Sequence, residues 1–138
     1  MSANNIWRRL QSYPTWVKLT LTMYSLAFLI GTTTHLIALL NGWWLPHHPL
    51  INTYWGSLTF LDPLVVFLLL RLPRAGLLLA LAIIASDVGI NSLATYLYFD
   101  SDGHYAVDYF VQLQTAFLGF VLGSAPFLWA QFNVKNAA

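Results

Sequence analysis

Cysteine is absent from the 138-residue chain, which excludes a disulfide framework, a thiolate nucleophile, a zinc–thiolate site and an iron–sulfur cluster. Glutamate is absent too, so all five acidic residues are aspartates. Charge is scarce altogether, at 8% of residues against about 25% in an ordinary soluble domain. A water-soluble globule is excluded. Six cations and five anions leave a formal net charge of +1, so there is no basic field to hold nucleic acid. A phosphate loop, a nucleophile elbow and a glycine-rich dinucleotide turn are also missing, which sets aside hydrolases and nucleotide-dependent enzymes. A bis-histidine haem site would need two histidines within the apolar runs, where only His35 stands.

What fills the chain is apolar: 58% of residues are hydrophobic and 16% aromatic. A bilayer-spanning helix needs about 20 mainly apolar residues, and the sequence divides into four such stretches, roughly 18 to 41, 52 to 70, 75 to 99 and 108 to 132. The breaks are Asn41-Gly-Trp-Trp-Leu-Pro-His-His-Pro49, Arg71-Leu-Pro-Arg74 and Asp100-Ser-Asp-Gly-His104, each rich in residues that interrupt helices. The first run exceeds the core of a signal peptide and lacks a small-x-small site near Asn41, so a retained helix is expected. With connections this short, the fold class expected is an all-α integral membrane protein, an antiparallel four-helix bundle forming a single domain over 1–138.

The cations orient it. Arg8, Arg9 and Lys18 precede the first span, Arg71 and Arg74 lie between the second and third, and Lys135 follows the fourth. The positive-inside rule makes that side cytoplasmic and places both termini there. The opposite loops hold His47, His48, His104, Asp100, Asp102 and Asp108. These are metal-compatible types without ligand spacing, so neither a metal nor any other cofactor is expected. Trp43, Trp44, Tyr54, Trp55, Tyr96, Tyr98, Tyr105 and Tyr109 make an outer aromatic belt, and Trp7, Trp16 and Trp129 an inner one.

Removing loops and belts leaves a short set of polar residues inside the spans: His35, Asp62, Asp87, Asn91, Gln112 and Gln114. An ionisable group at mid-bilayer costs about 2.5 to 3.5 kcal/mol on insertion scales, so such residues face the bundle interior and mark candidate sites. Asp87, Asn91 and Thr95 recur at i, i+4 and i+8, and Trp55, Thr59 and Asp62 at i, i+4 and i+7, one stripe on each helix. Phe28, Gly31 or Thr32, and His35 share a face of the first helix, beside the small-residue surface Gly31-Thr-Thr-Thr34. Gln112 and Gln114 point to different faces, and Gln112, on the side of Thr115, Gly119, Gly123 and Pro126, is taken as the cavity residue. The stripes predict an aromatic-walled cavity with His35, Asp62 and Asp87 as candidate acid/base groups and Trp55, Thr59, Asn91, Thr95 and Gln112 as ligand contacts. Three blander roles stand beside this: Asp62 before Pro63 can manage a kink, Asp87 with Asn91 can be an interhelical clamp, and His35 can be a neutral hydrogen-bonded packing residue.

His35-Leu followed by Gly42-Trp43, Trp55-Gly-Ser-Leu, Arg71-Leu-Pro-Arg74, Tyr96-x-Tyr-Phe99, and Tyr109-Phe with a later Pro126 resemble, in order and topology, the EXPERA family of four-helix membrane proteins over about residues 24 to 130. The resemblance implies a cavity holding a sterol or amphiphilic amine, with His35 as the first-helix histidine and Asp62 as the second-helix acid. Sterol isomerases of that family carry a glutamate shortly after the histidine, where this chain has Leu39. The placement of Asp62 after Trp55 is closer to the receptor-like branch.

Three classes of function follow. The first is a site for a sterol-, terpenoid- or lipid-like molecule, with cofactor-free isomerisation if one acid protonates an alkene while His35 or the second carboxylate removes a proton elsewhere. The second is a proton-linked transporter. The third is a non-catalytic membrane subunit or scaffold, with Gly119-x-x-x-Gly123 as a face for a partner or a second copy.

Overall fold

The computed structural model describes residues 10–42, 48–98 and 106–137, with the side chains of 98, 106–108 and 134–137 left aside. Four helices follow one another: α1 (Thr15–Asn41), α2 (Pro49–Arg71), α3 (Pro73–Tyr98) and α4 (Ala106–Ala137). Each is long and apolar enough to cross a membrane. Their starts use proline where its missing N–H costs nothing: Pro49 opens α2 and Pro73 opens α3. The first helix ends where Gly42 takes the left-handed conformation (φ 67°, ψ 30°) and its N–H returns to the Ala38 carbonyl, an αL cap that a residue with a Cβ would resist. Pro63 and Pro126 lie inside α2 and α4 without ending them. Helix α2 begins three residues ahead of the expected start because Pro49 can serve as its first helical residue. Of the loop and belt residues, Trp7, Arg8, Arg9, Trp43, Trp44, His47, Asp100, Asp102, His104 and Tyr105 lie outside the described residues.

The turn from α2 to α3 is the tightest connection. Leu72 alone separates the helices. Its N–H bonds the Leu68 carbonyl at 2.7 Å, and its own carbonyl accepts from the Gly76 N–H at 3.0 Å. Gly76 then lies against the backbone of Leu68 and Leu69, where any Cβ would collide. At this end of the bundle the Arg71 guanidinium stacks over Phe67 and the Arg74 guanidinium over Trp129, at 5.5 and 5.7 Å from the ring centres.

The core is a strip rather than a ball. Helix α1 buries Val17, Leu21, Tyr24 and Phe28, α2 buries Leu58, Asp62, Val65 and Leu69, and α4 buries Val121, Ala125, Leu128 and Phe132. All three sets follow i, i+4, i+7, i+11, one stripe of a nearly straight helix. Leucines on the remaining faces are exposed, among them Leu19, Leu26, Leu40, Leu78 and Leu122, as expected where the surrounding solvent is hydrocarbon.

Consecutive helices pack along their lengths, while α1 and α4 approach closely only in a few places. Rings bridge that seam: Tyr13 meets Phe132 at 5.9 Å between centroids, Tyr24 meets Phe117 at 5.8 Å and Phe120 at 5.7 Å, and Phe28 meets Phe117 at 5.9 Å. Residues later on α1 therefore meet residues earlier on α4. No residue of α1 beyond Phe28, and none of the described α4 side chains before Val121, is buried. The seam is closed by core packing in one half of the bundle and left open in the other.

Candidate functional site

The open half of the seam encloses a cavity of about 390 Å³. Helix α1 contributes Phe28, Gly31, Thr34 and His35, α4 contributes Phe110, Leu113, Gln114 and Phe117, and the floor is Asp62 of α2 with Ile83, Ile84 and Asp87 of α3. Its rim residues Ile30, Phe110 and Leu113 are 65%, 65% and 68% exposed, so the mouth faces sideways, between the helices. All three candidate acid/base groups, His35, Asp62 and Asp87, line this one space. As whole residues, Asp62 and Asp87 are only 3% and 7% exposed.

The acids are held very differently. Asp87 is clamped: the Asn91 amide donates to its Oδ1 at 3.1 Å and the Gln114 amide to its Oδ2 at 2.8 Å. Asn91 also donates to the Gln114 carbonyl oxygen at 2.9 Å and accepts from the Trp55 indole N–H at 2.7 Å. Because an indole nitrogen can only donate, Trp55 dictates which way the Asn91 amide points. The result is a closed polar circuit joining α2, α3 and α4. Beside it, the Tyr54 hydroxyl lies 2.8 Å from Ser86 Oγ, a second polar link between α2 and α3.

Asp62 has no such escort. Among the described residues no hydrogen bond reaches its carboxyl, which lies against the backbone of α1 where that helix has Gly31. A Cβ built on Gly31 would stand 2.6 Å from Asp62 Oδ2. The hydroxyls that follow Gly31 on α1 are each spent on their own helix: Thr32 on the Phe28 carbonyl, Thr33 on Leu29 and Thr34 on Gly31. Asp62 thus presents an uncommitted carboxyl to a mainly apolar cavity that His35 of α1 also lines.

Compared with known proteins, the chain matches no family model, no curated sequence and no solved structure.

The remaining expected contacts divide. Trp55 and Asn91 stand behind the cavity as members of the clamp rather than in its lining. Thr59 and Thr95 each bury a hydroxyl oxygen that has no partner, and neither lines the cavity. Gln112 is corrected: it is exposed on the outer side of α4 with Thr115, Gly119, Gly123 and Pro126. Gln114, two residues on, takes the place expected of it. Two residues are about 200° of helix rotation, so a choice between the glutamines is a choice between opposite faces. The apolar walls, Phe110, Leu113, Phe117, Ile83 and Ile84, gave no signal in the sequence, since nothing separates them from lipid-facing residues.

Proposed function

We propose that the chain is a multi-pass membrane protein that binds one hydrophobic or amphiphilic molecule, sterol-, terpenoid- or lipid-like, in the cavity between α1 and α4. The carrying observation is the uncommitted carboxyl of Asp62 in a cavity walled mainly by apolar side chains. A ligand hydroxyl or ammonium would give this carboxyl the partner that no described side chain supplies, a hydrogen bond worth about 1.5–3 kcal/mol when one partner is charged. The cavity lies within the range of about 300 to 1,000 Å³ usual for small-molecule sites, and its sideways mouth suits a molecule arriving from the bilayer. The resemblance to the EXPERA family supports the same reading.

In this proposal the helices alternate in direction, which is supported by the order of the Tyr13–Phe132, Tyr24–Phe120 and Phe28–Phe117 contacts. Both termini are cytoplasmic, on the side of Lys18, Arg71 and Arg74. The chemistry open to the site is a double-bond shift: Asp62 adds a proton to one alkene carbon, and His35 removes one from a carbon next to the resulting cation. The substrate gains and loses one proton, His35 hands its proton back to Asp62 before the next turnover, and no cofactor is required. Asp87, clamped on both oxygens, holds the floor rather than exchanging protons.

Native mass spectrometry of gently purified protein, with extraction of retained lipids, tests the binding. The wild type should carry one co-purifying amphiphile, and Asp62→Asn should lose it by roughly ten- to a hundredfold, the value of a hydrogen bond to a charged group, without a change in melting. Bare wild-type protein, or bulk phospholipid indifferent to Asp62→Asn, would move the assignment to a scaffold or relay. Gly31→Ala gives a second expected result. Its methyl would push the carboxyl aside, and because a side-chain end yields more easily than backbone, stability should fall by no more than about 1 kcal/mol while retention of the same amphiphile drops. Unchanged retention in Gly31→Ala would separate Asp62 from the ligand.

A further inference from the structure

The α1–α4 seam holds a second hollow, a shallow groove of about 450 Å³ walled by Trp16 and Thr20 of α1 and by Phe120, Gly123, Ser124 and Phe127 of α4. Its hydroxyls are occupied: Thr20 donates to the Trp16 carbonyl and Ser124 to the Phe120 carbonyl. The groove therefore offers mainly apolar surface. Cavity and groove are consecutive on both helices. The cavity takes positions 27–35 of α1 and 110–117 of α4, and the groove takes 16–20 and 120–127.

A wall of rings parts them. Phe28 and Phe117 face the cavity and Phe120 faces the groove. Tyr24 lines neither, is fully buried, and packs edge-on against Phe117 and Phe120. Its hydroxyl donates to the Val121 carbonyl at 3.1 Å and lies 2.9 Å from Ser124 Oγ, which anchors the wall to α4. On α4 the partition is only the three-residue step from Phe117 to Phe120, about 4.5 Å of helix rise.

We infer that this wall sets the length of the molecule the cavity accepts, with Phe117 as the specificity-determining residue. The inference rests on the ligand reading above and adds a size class to it: a single short chain or compact ring system, its polar end at Asp62 and its far end against the Phe117 ring. Each methylene buried before that stop should improve binding about fourfold. Each one beyond it must either distort the packed rings or fold back toward the mouth. Removing the Phe117 ring would open the cavity toward the groove and lift the limit.

Straight-chain 1-alkanols of about eight to eighteen carbons, added to the protein in detergent and read by native mass spectrometry, test this. Affinity in the wild type should rise to a maximum and then fall. Phe117→Ala should move the maximum up by about two methylenes or more, a gain above tenfold for the longer homologues at roughly fourfold per methylene. Ala27→Phe, which adds a ring inside the cavity lining, should move it down. Should Phe117→Ala not fold, Phe117→Leu and Ala27→Phe still carry the comparison. A maximum that stays at the wild-type length in folded variants would overturn the length limit while leaving the ligand site standing. Failure of every alkanol to bind the wild type would remove the ligand site and the length limit with it.

Discussion

Gly76→Ala is expected to be among the most damaging small substitutions in the protein. The added methyl would strike the backbone nitrogen of Leu69 and stand 2.8 Å from the Leu68 carbonyl carbon and from Leu69 Cα. Backbone cannot step aside as a side chain can, and here it has little slack. Leu72 is the whole connection, bonded backward to Leu68 and forward to Gly76. Relief must come from parting α2 and α3 themselves, which disturbs the packing of Leu69 and Leu77, both buried within the same core. The cost should reach about 3 kcal/mol, the upper part of the range for overpacking, measured by reversible denaturation in mixed micelles. Gly89→Ala is the control, because nothing lies within 4 Å of its added carbon. There the better helix propensity of alanine should leave stability unchanged or slightly raised. Equal behaviour of the two variants would show that the close approach at Gly76 is not what holds the turn.

Asn91→Leu should be comparably severe for a different reason. One side chain accepts from the Trp55 indole and donates to both Asp87 and Gln114. Leucine is similar in size but leaves the indole N–H and one carboxylate oxygen without their partners. Stranding buried groups costs about 1–3 kcal/mol apiece, more when one is charged, so a loss of about 2–4 kcal/mol is expected. Gln114→Leu should cost somewhat less, and the double variant less than the sum of the two, since both residues serve Asp87 and each other. The additivity of the two substitutions is the decisive measurement. Strict additivity would mean that the circuit joining α2, α3 and α4 is not one unit. Gln112→Leu, exposed on α4, should be near neutral.

These residues also show what a reader of the sequence can and cannot recover. The four spans were legible because a membrane demands apolar length, and their ends because Gly42, Pro49 and Pro73 stand at the breaks. His35, Asp62 and Asp87 stood out because every polar residue in such a span is conspicuous, and the structure brings those three into one cavity. The face of α4 was not legible. Its buried set of Val121, Ala125, Leu128 and Phe132 has the same chemistry as the exposed Leu113, Leu122 and Phe127. In water, polarity would separate the two faces; between a core and a bilayer there is no such contrast. Small residues at helical spacing then drew attention to the Gln112 side, and the true partner of Asp87 was the other glutamine. That the Asp87 carboxyl is clamped follows from Asn91 one turn on and Gln114 of the facing helix, whereas Asp62 faces α1 at Gly31, which has no side chain to offer, a pairing between helices that spacing does not encode.

The ring-bridged seam also bears on the order in which the protein assembles and loosens. Tyr24 reaches Val121 and Ser124 across 97 and 100 positions of chain, whereas the α2–α3 turn closes across a single residue. Contacts that enclose the longest loop carry the largest closure entropy and reward it last. The α1–α4 contact is therefore expected to be the last to form and the first to give way, while each helix keeps its neighbour in sequence. Such a fluctuation parts the two walls of the cavity without dismantling anything else. Amide exchange should accordingly be faster along 31–41 of α1 and 109–120 of α4 than along 58–69 of α2.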